Sequence, residues 1–355
     1  MSIKFSYQPR LAACLLLACC LRCGQSARAQ DASFSQPYMA PLLLNPAYSG
    51  AEDFTRIGAT YQYRWGRLSE PYMLYSAYAD YYFDAFRSGV GICAVSDRQG
   101  GGALTQSSLG ASYAYNLRIA ERAYLRFGMQ ALLDVTSTNT SKLVFPDMLG
   151  TYGNVAADDA YISEQRSDFD IAVGSVFSYR IFYIGAALRN LMEAPGGRVA
   201  GQIVTTPRKL TLHGGCNISV PLYDRRYSYY RGSGSTLMLS PNVIYSIQGA
   251  SQLVALGGYV GLSGFSGGFF YKKRFNTDAV FYAICATYSS DWFSLTYSFD
   301  FGKISDIMYQ YSPDVHEISL FFRIKRRPKS SYFQNQNQHR GSGQKTLNVP
   351  YINYL

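Results

Sequence analysis

The side chains of this 355-residue chain best suited to proton transfer near neutral pH are three histidines, His213, His316 and His339, and they stand far apart in the sequence. His316-Glu317 sets an imidazole beside a carboxylate, a pair able to move protons when both groups face one site. On a strand, however, adjacent side chains point to opposite faces, and the pair would be divided. Asp158-Asp159 and Asp168/Asp170 could form a carboxylate pair or a weak Ca²⁺ site, although loop acids are more often simply solvated. Four of the 7 cysteines, Cys14, Cys19, Cys20 and Cys23, fall near the amino end. The others, Cys93, Cys216 and Cys285, are isolated, with no CxxC and no even-numbered framework, so they read as small apolar fillers rather than zinc ligands or disulfides. Glycines at 257, 258, 261, 264, 267 and 268 do not make a strand–loop–helix phosphate cradle; they surround a tight hairpin and lie in strands, where a missing side chain permits curvature. The residues supply no nucleophile–base set, so the expectation is no catalytic residue, no cofactor and no resident metal; an outer-membrane hydrolase would need a set that is not here.

The elements that would carry these residues are strands. From Trp292 to Phe301, Phe293, Leu295, Tyr297, Phe299 and Phe301 alternate with Ser294, Thr296, Ser298 and Asp300. Strict period-2 alternation over such a length is a β-strand with unlike surroundings on its two faces. A tilted strand needs ~9–11 residues to cross a bilayer, and near-copies recur along the chain. In 56–65, Ile57, Ala59, Tyr61, Tyr63 and Trp65 oppose Arg56, Gly58, Thr60, Gln62 and Arg64, a charged face that suits a watery lumen better than a dry core. Strands are predicted at 55–65, 71–83, 88–97, 104–117, 122–136, 168–178, 181–190, 208–219, 236–247, 252–261, 265–273, 278–288, 292–301 and 315–324, the eighth and ninth alternating least clearly. Although 48% of residues are hydrophobic, no apolar run approaches the ~18 residues of a membrane helix. The 32 Tyr and 21 Phe suit lipid–water girdles, where a ring with a polar tip is at home. The fold class is therefore all-β, an antiparallel transmembrane barrel of about 14 strands in a Gram-negative outer membrane, occupying 55–324. An even count returns both termini to the same side.

The formal charge of +10 invites a nucleic-acid partner, but its distribution argues against one. Four bases lie in the acid-free first 29 residues and six in the acid-free last 31, leaving 23 bases against 23 acids between them. Residues 1–29 read as a cleaved secretory signal: Lys4 and Arg10, then the apolar Leu11–Leu21, then the A-x-A site Ala27-Arg28-Ala29. A lipoprotein alternative at Cys19 fits less well, because Leu17 precedes the small residue and the A-x-A site follows with a better spacer. Residues 30–54 form a leader with turn dipeptides Asn45-Pro46 and Ser49-Gly50, read as a loop that enters or plugs the barrel. With both ends periplasmic, connections 137–167, 191–207 and 302–314 are the long outer loops; 220–235, carrying Arg225, Arg226 and Arg231, is long on the inner side. Residues 325–355 are a basic, polar periplasmic tail in which Arg326, Arg327 and Lys329, and the returning aromatics Tyr351 and Tyr354, are the residues placed to meet a partner.

Several motifs then resemble the PorP/SprF family. They are Gln30-Asp31-x-x-Phe34-Ser35-Gln36 with Tyr38, Asn45-Pro46-Ala47-Tyr48-x-Gly50, Ala187-Leu188-x-Asn190-Leu191, Pro207-Arg208-Lys209-Leu210 with Gly214-Gly215, and His316-Glu317-Ile318-Ser319-Leu320. The likeness covers roughly 30–324, and the extension after Ile324 departs from barrels that finish close to their last strand. The resemblance implies an outer-membrane barrel of the type IX secretion (Por) and gliding systems of Bacteroidetes-type bacteria. It further implies export or surface anchoring of secreted proteins, in company with outer-membrane lipid and periplasmic lipoprotein or ring components. No catalytic residue carries over; Gln36, Asn45, Pro46 and Tyr48 match the leader motif and receive a structural role. A porin-like channel for small solutes or hydrophobic compounds is the competing expectation, since polar lumen faces permit it.

Overall fold

The computed structural model describes residues 33–52, 54–66, 70–139, 163–193, 195–199, 202–222, 236–275, 279–303 and 314–324. Seven strands come first: β1 (Thr55–Arg64), β2 (Tyr72–Phe83), β3 (Ser88–Gln99), β4 (Leu104–Ala120), β5 (Ala123–Asn139), β6 (Ser163–Tyr179) and β7 (Phe182–Arg189). Each pairs antiparallel with the next. A separate hairpin, β8 (Pro195–Val199) and β9 (Gln202–Thr205), stands outside the main sheet, in a stretch expected from sequence to be plain loop. The sheet resumes with β10 (Lys209–Cys216), β11 (Ile218–Pro221), β12 (Thr236–Gln248), β13 (Ser251–Leu262), β14 (Phe265–Arg274), β15 (Ala279–Ser289), β16 (Phe293–Lys303) and β17 (Val315–Ile324).

β10 pairs with both β7 and β12, and β11 pairs with β12, so β10 and β11 are two halves of one stave interrupted at Asn217. This is the eighth of the expected strands, one of the two that alternate least clearly in the sequence, and the break accounts for it there. β17 pairs back onto β1, Thr55 opposite Ile324 and Arg64 opposite Val315, which closes the sheet into an antiparallel barrel of fourteen staves. Closure leaves no open sheet edge, the condition for a β-structure to cross lipid. No helix among the described residues is long and apolar enough to cross a membrane.

Alternation places the side chains. On β16, Leu295, Tyr297 and Phe301 are exposed on the outer wall, while Ser294, Thr296, Ser298 and Asp300 turn inward and are buried. On β17 the same rule sends His316 outward, against Tyr297 and Phe299, and Glu317 inward. The two tryptophans mark opposite ends. Trp292, in the turn between β15 and β16, stacks on Phe322 near the end of β17; Trp65, just past β1, packs on Tyr72. Aromatic residues at both ends of an apolar band match a barrel seated between two membrane–water interfaces. β4, β5 and β6 are each 17 residues long, well beyond the ~9–11 needed for a crossing, so these staves run past the bilayer. The barrel has a terminal mouth, where β1 starts and β17 ends, and a loop mouth opposite.

Candidate functional site: the leader in the barrel lumen

The lumen is occupied by the chain's own leader. Prolines open three short helical turns, Pro37–Met39, Pro41–Leu44 (α1) and Pro46–Tyr48, where a ring-fixed φ and a missing N–H cost nothing. Asn45 caps the third by accepting the Ala47 N–H at 2.9 Å. The sequence showed only turns here; the proline spacing folds them into compact helical turns that fit a tube. The leader descends from the loop mouth to the terminal mouth. Ser33 O accepts from Arg64 at the far end of β1, and Tyr48 O accepts from Arg56 near its start at 3.0 Å.

Wall side chains meet the leader backbone at every level. Nearest the loop mouth, Glu317 accepts the N–H groups of Ser35 and Gln36 at 2.7 and 2.9 Å and the Gln62 amide at 2.7 Å. Lys272 donates to Ser35 O at 2.8 Å and to Asp300 at 2.7 Å, and Tyr259 donates to the Gln36 side-chain oxygen. In the middle, Asn45 Nδ2 donates to Ser175 O and Ala186 O, both at 3.1 Å, and lies 3.1 Å from His213 Nε2. The other ring nitrogen of His213 is 3.3 Å from the Tyr48 hydroxyl. Nearest the terminal mouth, Arg56 and Asp80 form a fully buried ion pair at 2.6 Å, and Asp80 also accepts the Gly50 N–H at 2.7 Å. Arg126, likewise buried, donates to Ala47 O at 2.8 Å and to Ser49 O. The Tyr38 and Tyr48 rings also pack on the His213 ring, with centroids 6.4 and 5.4 Å away.

Shape completes the fit. A Cβ at Gly128 would lie 2.2 Å from Ala47 N, one at Gly174 2.1 Å from Asn45 Oδ1, and one at Gly89 1.9 Å from Ser49 O. The wall has no side chain where the leader backbone presses against it. Gly50, at φ +57°, turns the leader out of the lumen in a left-handed conformation that glycine adopts without strain. Between the leader and the loop mouth a cavity of about 220 Å³ remains.

Of the leader-motif residues, the structure brings Gln36, Asn45, Pro46 and Tyr48 into one buried chain segment. The arginines and glutamine of β1, expected to face water, face the leader instead: Arg56 and Gln62 are buried and bonded to it or to its other partners. His213, Asp80, Arg126 and Glu317, which sequence reasoning left without a role, make the anchoring contacts. Their one sequence signal is a charged or polar residue at an inward position of a strand. Arg225, Arg226, Arg231, Arg326, Arg327, Lys329, Tyr351 and Tyr354 lie outside the described residues, as do Asp158 and Asp159. Asp168 pairs with Arg166 at 2.9 Å, and Asp170 accepts the Met192 N–H at 3.0 Å. Among the described residues no group of three or more His, Cys, Asp or Glu is placed to hold a metal ion.

Residues 26–322 match the family model described as type IX secretion system membrane protein PorP/SprF. No curated protein matches significantly. Among solved structures the chain is similar to a Pseudomonas aeruginosa FadL homologue, at 11% identity and TM-score 0.40, covering 79% of this chain and 92% of that one. It is similar to the Acinetobacter baumannii outer membrane protein Omp33, at 10% identity and TM-score 0.40, covering 78% and 100%. A deletion mutant of TodX, a monoaromatic hydrocarbon channel, gives 11% identity and TM-score 0.43, covering 81% and 94%.

Proposed function

Because the chain belongs to the PorP/SprF family of type IX secretion system membrane proteins, we propose that this outer-membrane barrel is a docking post rather than a conduit. The single observation that carries the reading is the leader, bonded to the wall from the loop mouth to the terminal mouth. A tube threaded by its own chain from one mouth to the other has most of its inner wall committed, and its two ends are what remain for partners. In this reading residues 1–29 are a cleaved signal, 30–54 a plug, 55–324 the barrel and 325–355 a periplasmic tail. The loop mouth faces outward, and segments 137–167 and 191–207 hold exported adhesins or enzymes at the surface. On the periplasmic side Arg225, Arg226, Arg231, Arg326, Arg327, Lys329, Tyr351 and Tyr354 meet the lipoprotein or ring components of the secretion and gliding machinery. The barrel performs no chemistry of its own.

Deleting the gene and quantifying exported proteins on the cell surface tests this. Loss of surface retention with an intact outer membrane is expected, and retention equal to wild type overturns it. The competing channel reading predicts steady open currents from purified protein in a planar bilayer, where the plugged barrel should give none.

A further inference from the structure

The order in which the leader meets the wall fixes its direction. Ser33 O accepts from Arg64, the last residue of β1, and the Ser35 and Gln36 N–H groups donate to Glu317, which stands opposite Gln62 in the β1–β17 register. Further along, Tyr48 O accepts from Arg56, and the Gly50 N–H donates to Asp80, the β2 partner of Arg56. As the leader advances from Ser33 to Gly50, its β1 partners step back from Arg64 to Arg56. The leader thus runs antiparallel to β1 inside the tube, and β1 then climbs back along the wall. Ser33 and Phe34 are half-buried and line the cavity at the loop mouth, whereas Ser35 and Gln36 are buried.

An even number of staves puts Thr55 opposite Ile324 at one mouth, and from that alone both chain ends would share a side. The leader adds one further passage and breaks the parity. With the signal removed after Ala29, three residues, 30–32, precede Ser33. Fully extended, they span at most ~11 Å. The ten residues of β1 cover ~33 Å along the strand, or ~25 Å along a barrel axis from which the strand tilts by about 40°. Three residues therefore reach less than half the way back to the terminal mouth.

We infer that the processed chain has its two ends on opposite faces of the membrane. The amino-terminal segment ahead of Ser33 leaves through the loop mouth, and the tail after Ile324 starts at the terminal mouth. Display of the amino-terminal segment at the cell surface rests on the docking reading, in which the loop mouth faces outward; its passage through the lumen does not. Displayed there, it stands at the same mouth as segments 137–167 and 191–207 and belongs to the surface offered to exported proteins.

Single cysteines test this in whole cells, in the full-length protein with Cys93, Cys216 and Cys285 replaced by alanine. Ala32→Cys reports the amino-terminal segment, Ser141→Cys segment 137–167 and Ser331→Cys the tail. The probe is a maleimide carried on a polyethylene glycol chain too large to enter the periplasm. Ala32→Cys and Ser141→Cys should label as fully in intact cells as after the outer membrane is permeabilised, and Ser331→Cys only after permeabilisation. Ser141→Cys labelled in intact cells, with Ala32→Cys labelled only after permeabilisation, overturns the threading and leaves the docking orientation standing. Ser331→Cys labelled in intact cells, with Ala32→Cys and Ser141→Cys protected, overturns the orientation and with it the surface display. If Ala32→Cys reacts in neither state, an epitope inserted after Ala32 decides: antibody binding to intact cells is expected, and binding only to permeabilised cells, or to neither, overturns the threading.

Discussion

Replacing Gly128 and Gly174 by alanine tests whether the leader is held by shape as well as by hydrogen bonds. At position 128 the added carbon would lie 2.2 Å from Ala47 N and 2.4 Å from the Pro46 carbonyl carbon, backbone atoms that cannot rotate aside. Reaching ordinary contact, roughly 3.5 Å, requires the segment to move about 1.3 Å. At position 174 the new carbon would lie 2.1 Å from Asn45 Oδ1, pushing on the same segment. Asn45 holds Ser175 O, Ala186 O and His213 at 3.1 Å each. A shift above about 1 Å carries such contacts past useful hydrogen-bond distance. Overpacking costs about 1–3 kcal/mol, and each lost hydrogen bond about 0.5–1.5 kcal/mol. The double variant should thus disfavour the docked leader by about 3–7 kcal/mol, counted once because both substitutions act on residues 45–47. At about 1.4 kcal/mol per factor of ten, the docked-to-released ratio falls at least a hundredfold. Two measurements read this out in the purified barrel: planar-bilayer conductance, and reaction of a Ser35→Cys thiol with a membrane-impermeant maleimide after the free thiols Cys93, Cys216 and Cys285 are replaced by alanine. The expected result is a silent, unreactive wild-type background and an open, reactive double variant. A double variant that folds, stays silent and leaves the thiol protected would refute the packing argument.

Glu317→Ala should free the leader at its loop-mouth end, since it strands the Ser35 and Gln36 N–H groups at about 1–3 kcal/mol each. Hydrogen exchange at those two amides should accelerate, and Glu317→Gln, which keeps an acceptor, should accelerate it less. Arg56→Met alone leaves the buried Asp80 carboxylate without its cation and should lower barrel stability by about 3–5 kcal/mol. Adding Asp80→Leu should recover much of that loss in detergent melting; a double variant no more stable than the single would contradict the buried-pair reasoning.

The barrel was legible in the sequence because the membrane imposes one rule on every stave. Lipid outside and a different environment inside force period-2 alternation, and Trp292–Phe301 displays it without any tertiary knowledge. The stave count and the division of His316 from Glu317 follow from that rule alone. Stave lengths were less legible, because where β4, β5 and β6 leave the bilayer the constraint lapses and alternation stops marking the strand. The leader half of the anchoring site was legible as a motif with Gln36, Asn45, Pro46 and Tyr48, but the wall half was not, and the reason is separation along the chain. Glu317 bonds residues 281 and 282 positions away, and His213 meets Asn45 across 168 positions, so each looks isolated in sequence.

The polar inner faces fit water as well as they fit a plug, and this ambiguity kept a channel and a docking post both open. The glycines at inward positions distinguish a filled lumen from a watery one. Water fills any recess and sets no limit on a side chain that projects into it. Gly89, Gly128 and Gly174 turn inward on β3, β5 and β6, and each meets a backbone or amide atom of the leader where a Cβ would stand. A wall that gives up side chains at three matched points along one buried segment is shaped around a solid occupant. Charged residues at the intervening levels, Asp80 and Arg126 among them, then read as partners for that occupant's backbone rather than as a lining for solvent. Inward glycine beside inward charge, on neighbouring staves, is the local pattern that separates a filled barrel from an open one.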